Sequence, residues 1–217
     1  MTVEIKFCGV TRPEDAQFAV SLGAAYVGVI FAGGPRMLAP ERAAVVLRDV
    51  PRGVKRVGVF ADQPSADIAR IAEIARLDVI QLHTTVDRRR LDAVRAATGA
   101  AIWPVVRVAG DKLPETTAEL LGLADGLLLD AYVPGTLGGT GVALAWTRIA
   151  DELRRIRGNT PIILAGGLRP ENVVDAIAAL GPNVVDVSSG VESAPGIKDH
   201  ERMRAFRDAV THAPIPT

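Results

Sequence analysis

The segment TPIILAGGLRPENVVDAIAALGPNVVDVSSG, residues 160–190, contains two apolar runs separated by one helical stretch. Thr160–Ala165 and Val184–Ser188 are short, β-branched and bounded by glycine or serine, which is how buried strands read. Between them, Pro170 precedes Glu171, a pairing that suits a helix start. Proline costs little in the first turn, and an early carboxylate complements the helix N-terminus. Gly181 then supplies a helix stop. A strand, a returning helix and a second strand make a parallel pair. Because both runs are almost continuously apolar, both faces of the sheet are expected to be covered.

The same unit recurs outward from this segment. Further strands are predicted at Val3–Cys8, Ala25–Phe31, Val54–Phe60, Asp78–His83, Ala101–Val106 and Asp125–Asp130. Helical stretches lie between them. In Pro64–Ala75, Ile68, Ile71, Ala72 and Ala75 fall three or four apart, on one helical face. Pro13, Pro40 and Pro64 read as helix starts, and Gly23 and Gly99 as stops. Asp87 to Asp92 reads as a solvated helix start. Eight strand–helix units in 217 residues predict an α/β fold closed as a (β/α)8 TIM barrel, a single domain over residues 1–217. A doubly wound open sheet is the competing architecture. The count of eight disfavours it, as does the lack of a Gly-x-Gly-x-x-Gly after the first strand.

Bulk properties narrow the function. Lys plus Arg and Asp plus Glu both number 25, so nothing favours a nucleic-acid partner. No apolar run approaches the ~20 residues of a membrane span, and no secretory leader is visible. The expectation is a cytoplasmic protein acting on a small molecule, as a monomer or homodimer. One cysteine and three histidines without a close pair argue against an internal disulfide and against a metal site.

In a barrel, chemistry collects at the carboxyl ends of the strands, and here polar and glycine residues gather at that rim. Gly166-Gly167 follow strand seven, and Ser188-Ser189-Gly190 follow strand eight. Loops at these two places recurrently hold phosphate, because glycine lets backbone N–H groups approach an anion. Such a cradle would let a chain of zero net charge hold a dianion. Asp130 ends strand six on the same side as Leu128, which predicts partial desolvation, a raised pKa and a general acid. Cys8 ends strand one, with Lys6 two residues behind on the same side. A nearby cation should favour thiolate, hence a general base; buried filler is the plain alternative. Arg36 could fork a carboxylate or be solvated, and His83 could touch ligand or merely pack. Glu192 and Lys198 read as the final loop and helix start. Residues 131–145, containing Gly138 and Gly139, read as a long lid or ligand-wrapping loop.

These motifs together resemble the phosphoribosylanthranilate isomerases. The resemblance is carried by Lys6-Phe7-Cys8-Gly9-Val10-Thr11, Gln81-Leu82-His83, Leu128-Leu129-Asp130, Gly138-Gly139-Thr140-Gly141, Leu164-Ala165-Gly166-Gly167-Leu168 and Asp186-Val187-Ser188-Ser189-Gly190. It covers the chain from about Val3 to Phe206. It implies an Amadori rearrangement of a phosphosugar amine, with Asp130 as acid and Cys8 as base. It also implies Arg36 on the anthranilate carboxylate, Asp186 near the sugar hydroxyls, and no cofactor. Thr84, Ala131 and Leu144-Ala145 depart from the family's usual residues. A histidine-pathway isomerase performs the same chemistry but has aspartate where Cys8 stands, and a non-catalytic phosphosugar-binding barrel would lack the acid or the base.

Overall fold

The computed structural model describes residues 2–108, 110, 112–130 and 149–214. Gly138 and Gly139, and the expected lid around them, lie outside the described residues. Eight parallel strands close into a barrel in sequence order. They are β1 (Glu4–Phe7), β2 (Tyr26–Ile30), β3 (Lys55–Phe60), β4 (Val79–Leu82), β5 (Ala101–Arg107), β6 (Leu127–Asp130), β7 (Ile162–Ala165) and β8 (Val184–Val187). The closing pair, β1 with β8, sets Lys6 beside Asp186. Around the barrel run α1 (Pro13–Ser21), α2 (Pro40–Val46), α3 (Ser65–Ala75), α4 (Arg88–Thr98) and α5 (Thr117–Leu121). A helix described over 149–156, α6, follows, then α7 (Val173–Leu180) and α8 (His200–Thr211). The predicted barrel is the one observed.

Strand alternation splits the apolar residues into two layers. Val57, Val79, Trp103, Val105, Leu128, Ile163 and Val184 fill the barrel interior. Their neighbours in sequence, such as Phe7, Ile80, Leu129 and Val185, face the helices. Phe7, for instance, meets Phe206 of α8 edge-on. Gly126 makes room for the interior indole: a Cβ there would lie 2.6 Å from Trp103 Nε1.

Local signals held at most helix ends. Pro13 and Pro40 open α1 and α2. Asp87 caps α4 by accepting from the Arg90 N–H. Gly99 and Gly181 close α4 and α7 in the left-handed conformation. Pro170 does not open its helix; α7 starts at Val173. Asn172 explains the delay. Its side chain accepts from the Arg169 N–H and donates to the Gly167 carbonyl, which fixes a turn where the helix was expected. The segment assigned to loop after β8 is also more regular than expected. A 3-10 turn at Ser189–Val191 leads into an antiparallel hairpin of β9 (Glu192–Ala194) and β10 (Ile197–Lys198).

Candidate active site

Cys8 extends β1, its N–H bonded to the Val187 carbonyl at 2.9 Å. By alternation its side chain shares the barrel side with Lys6. Gly28 of β2 leaves them space, since a Cβ there would come within 3.3 Å of both Cys8 Sγ and Lys6 Cε. Lys6 is fully buried, and its Nζ sits 2.7 Å from Asp186 Oδ2. The other Asp186 oxygen, Oδ1, is buried and has no hydrogen-bond partner among the described residues. Burial pushes the Cys8 thiol above its ordinary pKa; Lys6 pulls it down and Asp186 pushes it up. The expectation that Lys6 would favour thiolate is therefore only half met. The cation acts in that direction, but desolvation outweighs it.

Asp130 ends β6 and faces inward with Leu128. Burial raises its carboxyl pKa, while His83 and Arg107 pull it down. The expected upward shift is present, and its cause is the one expected. His83, at the end of β4, points its Nε2 to 3.6 Å from Asp130 Oδ2, too long for a hydrogen bond. Burial holds the imidazole below its usual pKa. Arg107, which sequence reading passed over, lies opposite Asp130 in the β5–β6 register. Its signal was available in principle, because it continues the inward series Ala101, Trp103 and Val105. A cavity of about 240 Å3 lined by His83, Thr84, Thr85, Val105 and Arg107, among others, opens at this side.

Arg36 is not a solvated surface residue. Its guanidinium forks Glu192, with Nε 2.8 Å from Oε1 and Nη2 2.6 Å from Oε2. Lys198 Nζ reaches the same carboxylate at 2.8 Å and the Ser188 carbonyl at 3.0 Å. Burial works to raise the Glu192 pKa, but the hydrogen bonds from Arg36 and Lys198 bring it below the usual range. Sequence reading had given Glu192 and Lys198 no place in the site. Gly9 is what allows this approach. It has a φ of 66°, and a Cβ there would lie 2.7 Å from Arg36 Cδ and 2.9 Å from Ser188 Oγ.

The two candidate phosphate loops touch. Gly166 and Gly167 follow β7 with φ of 97° and 64°. A Cβ on Gly190 would fall 1.9 Å from the Leu168 carbonyl oxygen, so only glycine permits the contact. Gly190 thus lies against Leu168, and the two glycine-bearing loops meet there to form one wall. Cys8, Asp130, Asp186, Arg36, His83 and this wall all stand at the carboxyl ends of the strands.

A sequence model of the family N-(5'phosphoribosyl)anthranilate (PRA) isomerase matches residues 5–209. The chain belongs to that family. It is 41% identical over 211 residues to the N-(5'-phosphoribosyl)anthranilate isomerase of Rhodospirillum centenum, covering 95% of this chain and 97% of the relative. Its fold is similar to the crystal structure of the phosphoribosyl anthranilate isomerase of Thermotoga maritima. That match has a TM-score of 0.85 and 34% identity, over 96% of this chain and 98% of the other. A further structure of a phosphoribosyl anthranilate isomerase, in complex with reduced 1-(o-carboxyphenylamino)-1-deoxyribulose 5-phosphate, matches with a TM-score of 0.83 and 32% identity, over 96% and 98% of the two chains. Among the described residues no helix is long and apolar enough to cross a membrane.

Proposed function

We propose that this chain converts N-(5-phosphoribosyl)anthranilate into 1-(2-carboxyphenylamino)-1-deoxyribulose 5-phosphate, the isomerase step of tryptophan biosynthesis. The observation that carries the reading is the pairing of Asp130 and Cys8. A carboxyl group whose pKa burial raises and a buried thiol backed by a lysine end inward-facing strands of one barrel. Family membership supports the substrate class.

The chemistry follows from those two groups. Neutral Asp130 donates its proton to the ribose ring oxygen as the bond from that oxygen to the anomeric carbon breaks. The anilino nitrogen supplies the electron pair, and the opened sugar is a protonated Schiff base. That cation is an electron sink, so the proton on the adjacent sugar carbon becomes acidic. Cys8 thiolate takes it, leaving an enolamine. Loss of the enol O–H proton and protonation at the former anomeric carbon give the ketone. The substrate provides its own sink, so the residues described need only move protons. The glycine-lined wall holds the phosphate through backbone N–H groups. Arg36 takes the anthranilate carboxylate, and Asp186 Oδ1, which has no partner among the described residues, accepts from a sugar hydroxyl. Because the base must stay a thiol, a reducing compartment such as the cytoplasm suits it. These catalytic residues all come from one chain, which fits a monomer or a homodimer with separate sites.

Rescue of a tryptophan auxotroph lacking this isomerase tests the reading, with a histidine auxotroph run beside it. Growth of the first alone is expected. Failure to rescue it, with soluble protein present, would overturn the assignment; rescue of both would widen the substrate class.

A further inference from the structure

Arg36 is held by a structure that is itself held from outside the barrel. Glu192 and Lys198 face each other across the β9–β10 hairpin. Glu192 occupies the Nε and one Nη2 donor of Arg36, and among the described residues the Nη1–Nη2 edge of the guanidinium has no partner and is left to donate. A guanidinium gripped along one edge presents the other in a fixed plane, and that edge again matches a carboxylate. Two cations, Arg36 and Lys198, against one carboxylate leave a single positive charge, which one further carboxylate would neutralise.

A hairpin with strands this short does not hold itself in place. Its grip comes from the first turn of α1. Asp15 is fully buried and accepts from the Lys198 backbone N–H at 3.2 Å. It also accepts two bonds from Arg12, at 2.8 and 2.7 Å, and lies 2.9 Å from His200 Nε2. Arg12 in turn donates to the Lys198 carbonyl at 3.3 Å. The backbone of Lys198 is therefore pinned on both its donor and its acceptor, while its ammonium reaches Glu192.

We propose that Asp15 is a positioning residue for substrate selection. Through Lys198 and Glu192 it fixes the free edge of Arg36, so that the site selects ribosylamines whose aromatic ring carries a carboxylate. The inference rests on the reading of Arg36 as the carboxylate contact. A carboxylate that only stabilised α1 would not influence that recognition.

Asp15→Asn, made in the wild-type and in the Arg36→Ala background, separates the two roles. In the wild-type background KM should rise about tenfold, as small displacements of a positioning group can cause, with kcat within about threefold. In the Arg36→Ala background, where KM is already raised, the second substitution should add nothing further. Such non-additivity is expected of residues acting through one contact. Should Asp15→Asn fail to fold, Arg12→Gln, which removes the grip on the Lys198 carbonyl, is expected to show the same pattern. An unchanged KM in the folded single variant overturns the proposal, and so does a full additional rise in the Arg36→Ala background. If Arg36→Ala alone leaves KM unchanged, the carboxylate reading of Arg36 fails, and the proposal falls with it.

Discussion

The β1–β8 side of the barrel mouth and the β4–β6 side impose the same physical stress on their titratable groups, with opposite consequences. Burial raises both the Cys8 thiol and the Asp130 carboxyl, because a low-dielectric setting favours whichever form is neutral. For an acid the neutral form is the working one. For a base it is the idle one. The acid side accordingly has loose company, a histidine at 3.6 Å and Arg107 alongside. The base side has a fully buried lysine in direct contact with Asp186. A buried charge is costly and persists only when paired. The difference teaches that desolvation alone tunes an acid, whereas a base in the same setting needs a cation beside it.

One consequence concerns protonation. The thiol titrates above the carboxyl, so the productive form, thiolate with neutral carboxyl, is the minor one between the two pKa values. Its fraction falls about tenfold for each unit separating them. The profile of kcat/KM against pH is then a bell whose acidic limb reports Asp130 and whose alkaline limb reports Cys8.

The largest effects come from removing either group. Cys8→Ala and Asp130→Asn should each lower kcat by about 10²–10⁴-fold, the range of a lost general acid or base. Binding of a reduced product analogue should change little, because both residues act on protons. Steady-state rates and calorimetric titration of each variant test this. A variant that keeps more than a tenth of wild-type turnover would remove its residue from the scheme, and with it one side of the comparison.

The two sides also differ in how far the sequence revealed them. The barrel was readable because its strands are continuously apolar and each is followed by a helical pattern. The inward direction of Cys8 and Asp130 followed from the two-residue alternation of a strand. What alternation cannot supply is which strand lies opposite, and in what register. Lys6 and Asp186 are 180 positions apart and meet only because the barrel closes, so the lysine was read as the partner of Cys8 alone. Arg36 and Glu192 are 156 apart. The hairpin bringing them together has strands of three and two residues, too short for any period. The balance at Cys8 was misjudged for a related reason: sequence shows that a cation is near, but not how completely the thiol is buried.

Lys6→Met tests the cation's part and should have the next largest effect. Burial disfavours the ammonium, but Asp186 and Cys8 overcome this and raise its pKa, so wild-type Lys6 stays charged throughout the working range. Without it the thiol loses the group that lowers its pKa. The alkaline limb should move up and the plateau of kcat/KM should fall in step, with the acidic limb little changed. Stability should fall as well, by about 3–5 kcal/mol, since Asp186 is left buried and unpaired. Lys6→Met combined with Asp186→Asn removes that orphan, and its limbs are compared with those of Asp186→Asn alone, because Asp186 itself raises the thiol pKa and takes part in substrate binding. An alkaline limb that stays where it was would mean that Lys6 serves Asp186 and not the thiol.

His83→Asn should have the smallest effect, and its sign distinguishes a neighbour from a participant. Burial holds the imidazole largely neutral near pH 7, and the 3.6 Å gap to Asp130 leaves no hydrogen bond in this state. In the acidic range His83 gains charge and pulls the Asp130 pKa down. Removing it should therefore move the acidic limb up. A higher carboxyl pKa narrows its separation from the thiol, so the productive fraction should hold or rise slightly. The change in plateau kcat/KM is expected to stay within about fivefold, well below the 10²-fold minimum of a lost acid or base. A fall of that larger size, with the acidic limb unmoved, would instead place His83 in the proton transfers, and the acid side would no longer be the simpler of the two.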